Sequence, residues 1–190
     1  MNRAVFFDRD GVLNLDTDYI SSINEVKLVN SAVEIVTYCR DAGYMIFVVT
    51  NQPVIARGLI DEAELTELNR LYAELFLSRN EKAVIDKIYY CPHHPNANVE
   101  KYRQICDCRK PKPGMLFAAQ KEFNIDLENS FMVGDRISDI IAGSLAGCRT
   151  IQCLTGKHTD RMIQTDLEIP KDISPDFIIN DLSEITGIIK

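Results

Sequence analysis

Short apolar runs that stop on polar residues limit what this chain can fold into. Ala4-Val5-Phe6-Phe7, Met45 to Thr50, Ile85 to Tyr90, Ser130 to Val133 and Arg149 to Leu154 are brief and rich in β-branched or aromatic residues. Strands covered on both faces read this way. Helical patterns alternate with them. One opens at Ser31-Ala32-Val33-Glu34, a capping-box pattern, turns Ala32, Ile35, Val36 and Cys39 inward and stops at Gly43. A second, capped by Asp61 and Glu64, carries Leu65, Leu68, Leu71, Tyr72, Leu75 and Phe76 at helical spacing. A third starts at Pro113 and runs to about Phe123, and a fourth spans Ser138 to Ala146 before Gly147. Phe177-Ile178-Ile179 predicts an edge strand, followed by a helix over Leu182 to Ile189. The alternation predicts an α/β fold, a doubly wound parallel sheet with helices on both faces. At 190 residues, with no linker or repeat, one domain over 1–190 is expected.

In such sheets ligands bind beyond the carboxyl ends of the strands. The chemistry-bearing residues fall there. Asp8 and Asp10 close the first strand, with Gly11 able to turn the chain behind them; Thr50 and Asn51 close the second, Cys91 the third and Asp135 the fourth. Paired carboxylates at an inner strand end repel unless a cation or a proton lies between them.

Net charge is −7, which argues against a broad nucleic-acid-binding surface. No apolar run approaches a membrane span, and Asp8, Arg9 and Asp10 interrupt any secretory leader, so the cytoplasm is the expected compartment. Disulfides are not expected there. Cys39, Cys148 and Cys153 sit in apolar patterns and read as core thiols.

Four elements recur in order: Asp8 with Asp10, Thr50, Lys110 before the Pro113 helix, and Gly134-Asp135 with Asp139. Together they resemble the haloacid dehalogenase superfamily of aspartate-nucleophile phosphatases. The resemblance implies that Asp8 attacks phosphorus and that Asp10 is the acid and then the base. It implies that Thr50 and Lys110 bind phosphoryl oxygens. Magnesium would be held by Asp8, Asp135 and the Asp10 carbonyl, with Asp139 acting through water or orientation. A hard dication that bridges nucleophile and phosphate offsets their repulsion.

Further stretches narrow the match: Thr50-Asn51-Gln52, Ile55-Ala56-Arg57-Gly58, Cys91-Pro92-His93-His94-Pro95, Cys106-Asp107-Cys108-Arg109-Lys110-Pro111-Lys112-Pro113 and Thr155-Gly156-Lys157. These resemble the D-glycero-D-manno-heptose 1,7-bisphosphate 7-phosphatases, whose relatives include histidinol-phosphate phosphatases. The family pattern has Thr where this chain has Val12, and Ser-Gly where it has Pro53-Val54. The resemblance implies a small phosphorylated sugar as substrate, a capless enzyme, and substrate contacts from Asn51, Arg57 and Arg109, with Lys112 also suited to a phosphorylated sugar; a monomer is expected.

Cys91-x-His93 and Cys106-x-Cys108 are separated by twelve residues within a loop over about 91–112. Three thiolates and an imidazole suit a closed tetrahedral structural zinc site. The family match favours His93, while spacing leaves His94 open. The loop shows no apolar core of its own and ends at Arg109-Lys110, so fixing the cysteines fixes those cations. Other readings are a receiver-like phosphoacceptor domain, a zinc-ribbon nucleic-acid module, a histidinol-phosphate phosphatase and a polynucleotide 3′-phosphatase. Asp10 beside the nucleophile counts against the receiver, and the charge counts against the ribbon.

Overall fold

The computed structural model describes residues 1–159, 166–167 and 172–190. Six parallel strands form one sheet: β1 (Ala4–Phe7), β2 (Met45–Asn51), β3 (Lys87–Cys91), β4 (Phe131–Gly134), β5 (Arg149–Cys153) and β6 (Phe177–Ile179), in the order β3-β2-β1-β4-β5-β6. β1 lies centrally, with Phe7 opposite Val48 of β2 on one side and Val133 of β4 on the other. Its four residues are all buried, which is why it lacks the polar alternation of a half-exposed strand.

Helices α1 (Ala32–Asp41), α2 (Pro53–Ala56), α3 (Glu62–Arg79), α4 (Gly114–Phe123) and α5 (Ile137–Ala146) complete the fold. Successive β1 residues point to opposite faces. Val5 and Phe7 pack with Ile35, Val36, Tyr72 and Phe76 of α1 and α3, whereas Ala4 and Phe6 pack with Leu116, Ala119 and Ala142 of α4 and α5.

Several local expectations need correction. Ser31 precedes α1 but makes no side-chain cap; its backbone is already helical, and its buried hydroxyl has no partner among the described groups. Asp61 and Glu64 do form their capping box. Leu71 and Leu75 are only half-buried, because the inward stripe of α3 runs through Leu65, Leu68, Tyr72 and Phe76. The stretch after β2 is not all loop: Pro53 opens α2, whose Val54, Ile55 and Ala56 are buried. β3 starts at Lys87 rather than Ile85 and extends to Cys91. Residues 12–30 contain a 3-10 turn, Ile23–Glu25, capped by Ser22. The last helix is a 3-10 segment, Leu182–Gly187. Nor is the 91–112 loop without apolar packing: Ala97 and Tyr102 are buried against Val54, Ile55, Leu65 and Leu68. Part of the polar 155–176 stretch lies outside the described residues.

Candidate active site

The central strand ends where three acidic groups meet. Asp8 leaves β1 with its amide bonded to the Val133 carbonyl at 2.8 Å. Asp135 follows β4, and Asp139 lies in the first turn of α5. Their carboxylate oxygens come within 4.8 Å of one another, all buried. The ammonium of Lys110 enters this cluster, 2.7 Å from Asp8 Oδ1 and 2.6 Å from Asp139 Oδ1, and donates to the Val49 carbonyl at 2.7 Å.

One cation among three buried carboxylates leaves negative charge uncompensated. Burial, opposed by Lys110 and reinforced by Asp139 and Asp10, raises the Asp8 carboxyl to about 6. Burial together with Asp8 and Asp139 raises Asp135 to about 8. For Lys110, burial works against the charge, but Asp139 and Asp8 outweigh it and raise its affinity for the proton.

The residues fit a hard divalent cation. Asp135 Oδ1 is buried and has no hydrogen-bond partner among the described groups, while Oδ2 accepts from the Lys157 amide at 2.6 Å. Two glycines crowd that carboxylate. A Cβ on Gly11, whose φ is +92°, would come 2.6 Å from Asp135 Oδ2, and one on Gly156 would come 2.2 Å from it. Oxygen donors with missing positive charge are what magnesium takes.

Asp10 stands outside the acidic cluster, partly buried, in a network of donors. Its carboxylate accepts from Arg9 Nε at 3.1 Å and Nη2 at 2.9 Å, from Asn14 Nδ2 at 2.8 Å and from Gln52 Nε2 at 3.0 Å. Burial pushes its pKa up, but Arg9 first and then the other donors outweigh it and hold Asp10 below the usual carboxylate value.

Asp8, Asp10, Lys110 and Asp139 line a cleft of about 380 Å³ that also takes in Asp16, Tyr19, Thr50, Asn51, Gln52, His94, Arg109, Arg136 and Lys157. Asn51 lines it yet spends its amide on the backbone of Lys110: Nδ2 donates to the Lys110 carbonyl and Oδ1 accepts from the Lys110 amide, both at 3.0 Å. Arg109 lines the cleft with Nη1 on the His93 carbonyl at 2.9 Å. Arg57 lies behind the lining, bonded to the Asn96 carbonyl at 2.9 Å and the Tyr19 hydroxyl at 3.3 Å. Lys112 pairs with Asp166 at 2.9 Å and is outside the lining.

Arg136 and Lys157 are cleft cations to which sequence reasoning assigned no role. Both pair with Asp16, at 3.3 and 3.1 Å, and Lys157 also reaches Asp18 at 2.7 Å. Their signal was present, since Arg136 lies between Asp135 and Asp139 and Lys157 ends Thr155-Gly156-Lys157.

The second cluster is Cys91, His93, Cys106 and Cys108. The Sγ–Sγ distances are 3.4 Å for Cys91–Cys106, 3.2 Å for Cys106–Cys108 and 3.0 Å for Cys108–Cys91. His93 Nδ1 stands 3.8 Å from Cys91 Sγ and 3.5 Å from Cys108 Sγ. Four soft donors at such spacing fit a tetrahedral zinc, whose ligand atoms stand roughly 3.5–3.8 Å apart for ordinary Zn–S and Zn–N bonds. The Cys108 thiol is pulled down to about 5, chiefly by its hydrogen-bond contact with Cys91, whose own thiol is pushed up by that contact and by burial. His94 is not in the cluster: its Nδ1 accepts from the Asn96 amide, and its ring lines the cleft. The geometry thus distinguishes two histidines that spacing could not. Cys39, Cys148 and Cys153 are buried thiols, as expected.

Comparison with known proteins agrees with this arrangement. The HAD-hydrolase-like family matches residues 107–185. The D-glycero-beta-D-manno-heptose-1,7-bisphosphate 7-phosphatase of Photorhabdus laumondii is 39% identical over 188 residues, 98% of this chain and 95% of that protein. Its namesake in Escherichia coli K12 is 36% identical over 98% of this chain and 93% of its own length. A crystal structure of the D,D-heptose 1,7-bisphosphate phosphatase from B. bronchiseptica, complexed with magnesium and phosphate, matches with a TM-score of 0.79 at 28% identity, covering 98% of this chain and 97% of that one. An acidic cluster bracketed by a lysine at the ends of inner parallel strands, together with this similarity along nearly the whole chain, makes the protein a phosphoric monoester hydrolase of the haloacid dehalogenase superfamily, and it belongs to the D-glycero-beta-D-manno-heptose-1,7-bisphosphate 7-phosphatase family.

Proposed function

We propose that the protein removes the C7 phosphate of D-glycero-D-manno-heptose 1,7-bisphosphate through an aspartyl-phosphate, in the synthesis of nucleotide-activated heptose and lipopolysaccharide precursors. The observation that carries this reading is Asp8 at the end of the central strand, clamped by Lys110 and facing Asp135. In this reading Asp8 attacks phosphorus, and Lys110 and Thr50 take up charge developing on the phosphoryl oxygens. Asp10 gives a proton to the departing C7 alkoxide and later removes one from the attacking water. Held ionised by Arg9, Asn14 and Gln52, Asp10 needs the negative field of the substrate dianion to raise its proton affinity first.

Magnesium held by Asp8, Asp135 and the Asp10 carbonyl would neutralise charge between nucleophile and phosphate. Asp139 orients Lys110 and caps its own helix by accepting from the Arg136 amide at 3.0 Å. Zinc on Cys91, His93, Cys106 and Cys108 would be structural, anchoring the loop that ends in Arg109 and Lys110.

The second phosphate, several bonds from the reacting one, is assigned to Arg109, with Arg57 acting from behind through Tyr19. A guanidinium can hold phosphate through two hydrogen bonds. One domain, a monomeric state and a cytoplasmic location complete the proposal. Among the described residues no helix is long and apolar enough to cross a membrane.

Turnover should be compared on the heptose bisphosphate, histidinol phosphate and a 3′-phosphorylated oligonucleotide. The bisphosphate should win in kcat/KM. Equal values for histidinol phosphate would leave only a general phosphomonoesterase.

A further inference from the structure

Gln52 follows Thr50 and Asn51 at the end of β2. The residue is 3% exposed. Its Oε1 lies 3.0 Å from Arg9 Nη2, and its Nε2 lies 3.0 Å from Asp10 Oδ2 and 2.8 Å from Thr50 Oγ1.

The partners fix the orientation of this amide twice over. A guanidinium only donates, so the atom facing Arg9 is the carbonyl oxygen. An ionised carboxylate only accepts, so the atom facing Asp10 is the NH₂ group. Both protons of that group are then committed, one to Asp10 and one to Thr50. It follows that Thr50 Oγ1 accepts from Gln52 and must send its own proton elsewhere. Thr50 lines the cleft, and among the described residues no protein group accepts from its hydroxyl. Arg9 holds the arrangement from behind. It is buried, paired with Asp10 at 2.9 Å, and its guanidinium lies 6.0 Å from the centre of the Tyr72 ring.

We infer that Gln52 is a positioning residue that presets the Thr50 hydroxyl as a hydrogen-bond donor toward the phosphoryl group and ties it to the Asp10 acid/base. This rests on the phosphatase reading of Thr50 and Asp10. A hydroxyl free to rotate must reorganise when phosphate arrives, whereas a preset donor does not. One NH₂ group serves both neighbours, so a shift of Thr50 or Asp10 is felt by the other.

Two substitutions separate this role from simple packing. Gln52→Met keeps the approximate volume but offers Thr50 no donor. Gln52→Glu keeps the shape and the oxygen facing Arg9, but presents an acceptor to Thr50 and so draws its proton away from the cleft. Calorimetry with inorganic phosphate and magnesium is compared for wild type, Thr50→Val, Gln52→Met, Gln52→Glu and the Thr50→Val/Gln52→Met double variant, beside kcat and KM on a phosphomonoester. Gln52→Met should weaken phosphate binding about tenfold and Gln52→Glu more, the scale of a hydrogen bond to a charged group. The double variant should bind no worse than Thr50→Val alone, because the amide acts through the hydroxyl.

A purely structural role would lower the melting temperature and leave the two losses additive. Additive losses, or phosphate affinity like wild type in Gln52→Met, would overturn the inference. If Gln52→Met does not fold, the isosteric Gln52→Glu decides by the same measure: affinity equal to wild type overturns it. Wild-type protein that neither binds phosphate nor turns over any phosphomonoester would instead sink the phosphatase reading.

Discussion

Lys110 Nζ and Asp8 Oδ1 stand 2.7 Å apart in a buried pair, although 102 residues separate them in the chain. The lysine therefore opposes the protonation that burial favours at this carboxylate. Asp8→Asn should lower turnover by at least about 10⁴-fold, the scale of losing a covalent nucleophile. Rapid-quench mass spectrometry of the wild type should find phosphate on Asp8, and phosphate on any other residue would reassign the nucleophile.

Magnesium-free protein should respond to pH through the acidic cluster. Folding raises Asp8 from 3.8 to about 6 and Asp135 from 3.8 to about 8. Groups whose pKa is raised on folding bind more protons in the native state, so their stabilising effect is complete below about pH 4 and is lost as pH rises through about 6 and then 8. With magnesium withheld and the cysteine cluster's metal left in place, the melting temperature should fall across that window. Magnesium should restore it, and by more at about pH 8 than at about pH 5. A magnesium-free protein whose melting temperature is flat over the window would contradict this account of the cluster.

Asn51 grips both backbone polar groups of Lys110. Asn51→Ala should lower kcat by about 10²-fold with a smaller change in KM, because a loosened Lys110 misplaces charge at the reacting centre. Steady-state kinetics at saturating magnesium reads the split; a pure KM effect would make Asn51 a substrate ligand instead.

Arg109→Ala should raise KM for the heptose bisphosphate by about 10–100-fold, the loss of charged hydrogen bonds, and change KM for an aryl monophosphate little. Charge reversal at Arg57 should act in the same direction but more weakly, since Arg57 reaches the cleft only through Tyr19. Equal effects on both substrates would remove Arg109 from the second-phosphate site.

Cys108→Ser should release zinc, measured by elemental analysis, and lower activity by about 10²-fold as Arg109 and Lys110 lose their anchor. A zinc-free variant of full activity would show that the loop holds its own shape.

Residues placed by a strand end were readable in the sequence. Asp8 and Thr50 line the expected cleft and Asp135 joins Asp8 in the acidic cluster, because the apolar run before a strand end reports both burial and direction. Lys110 comes from a loop, and only the family pattern pointed to it. What depends on packing between distant segments was not readable. Nothing near Arg57 in sequence says that Asn96 and Tyr19 will take its guanidinium. The choice of His93 over His94 needs the ring's position relative to three sulfurs. Ser31 matched a cap by residue type, but its backbone was already helical and left no geometry for the bond. α2 was missed because Pro53-Val54-Ile55-Ala56 is too short for periodicity to show.

β3 is the outermost strand on its side of the sheet, and its final residue is Cys91. An outer strand offers unpaired amides and carbonyls to any other strand that approaches. A metal bond at Cys91 would pin the end of that strand and drape the 91–112 loop from it. Metal withdrawal should then register first as self-association, with light scattering rising before the circular dichroism of the remaining sheet is lost.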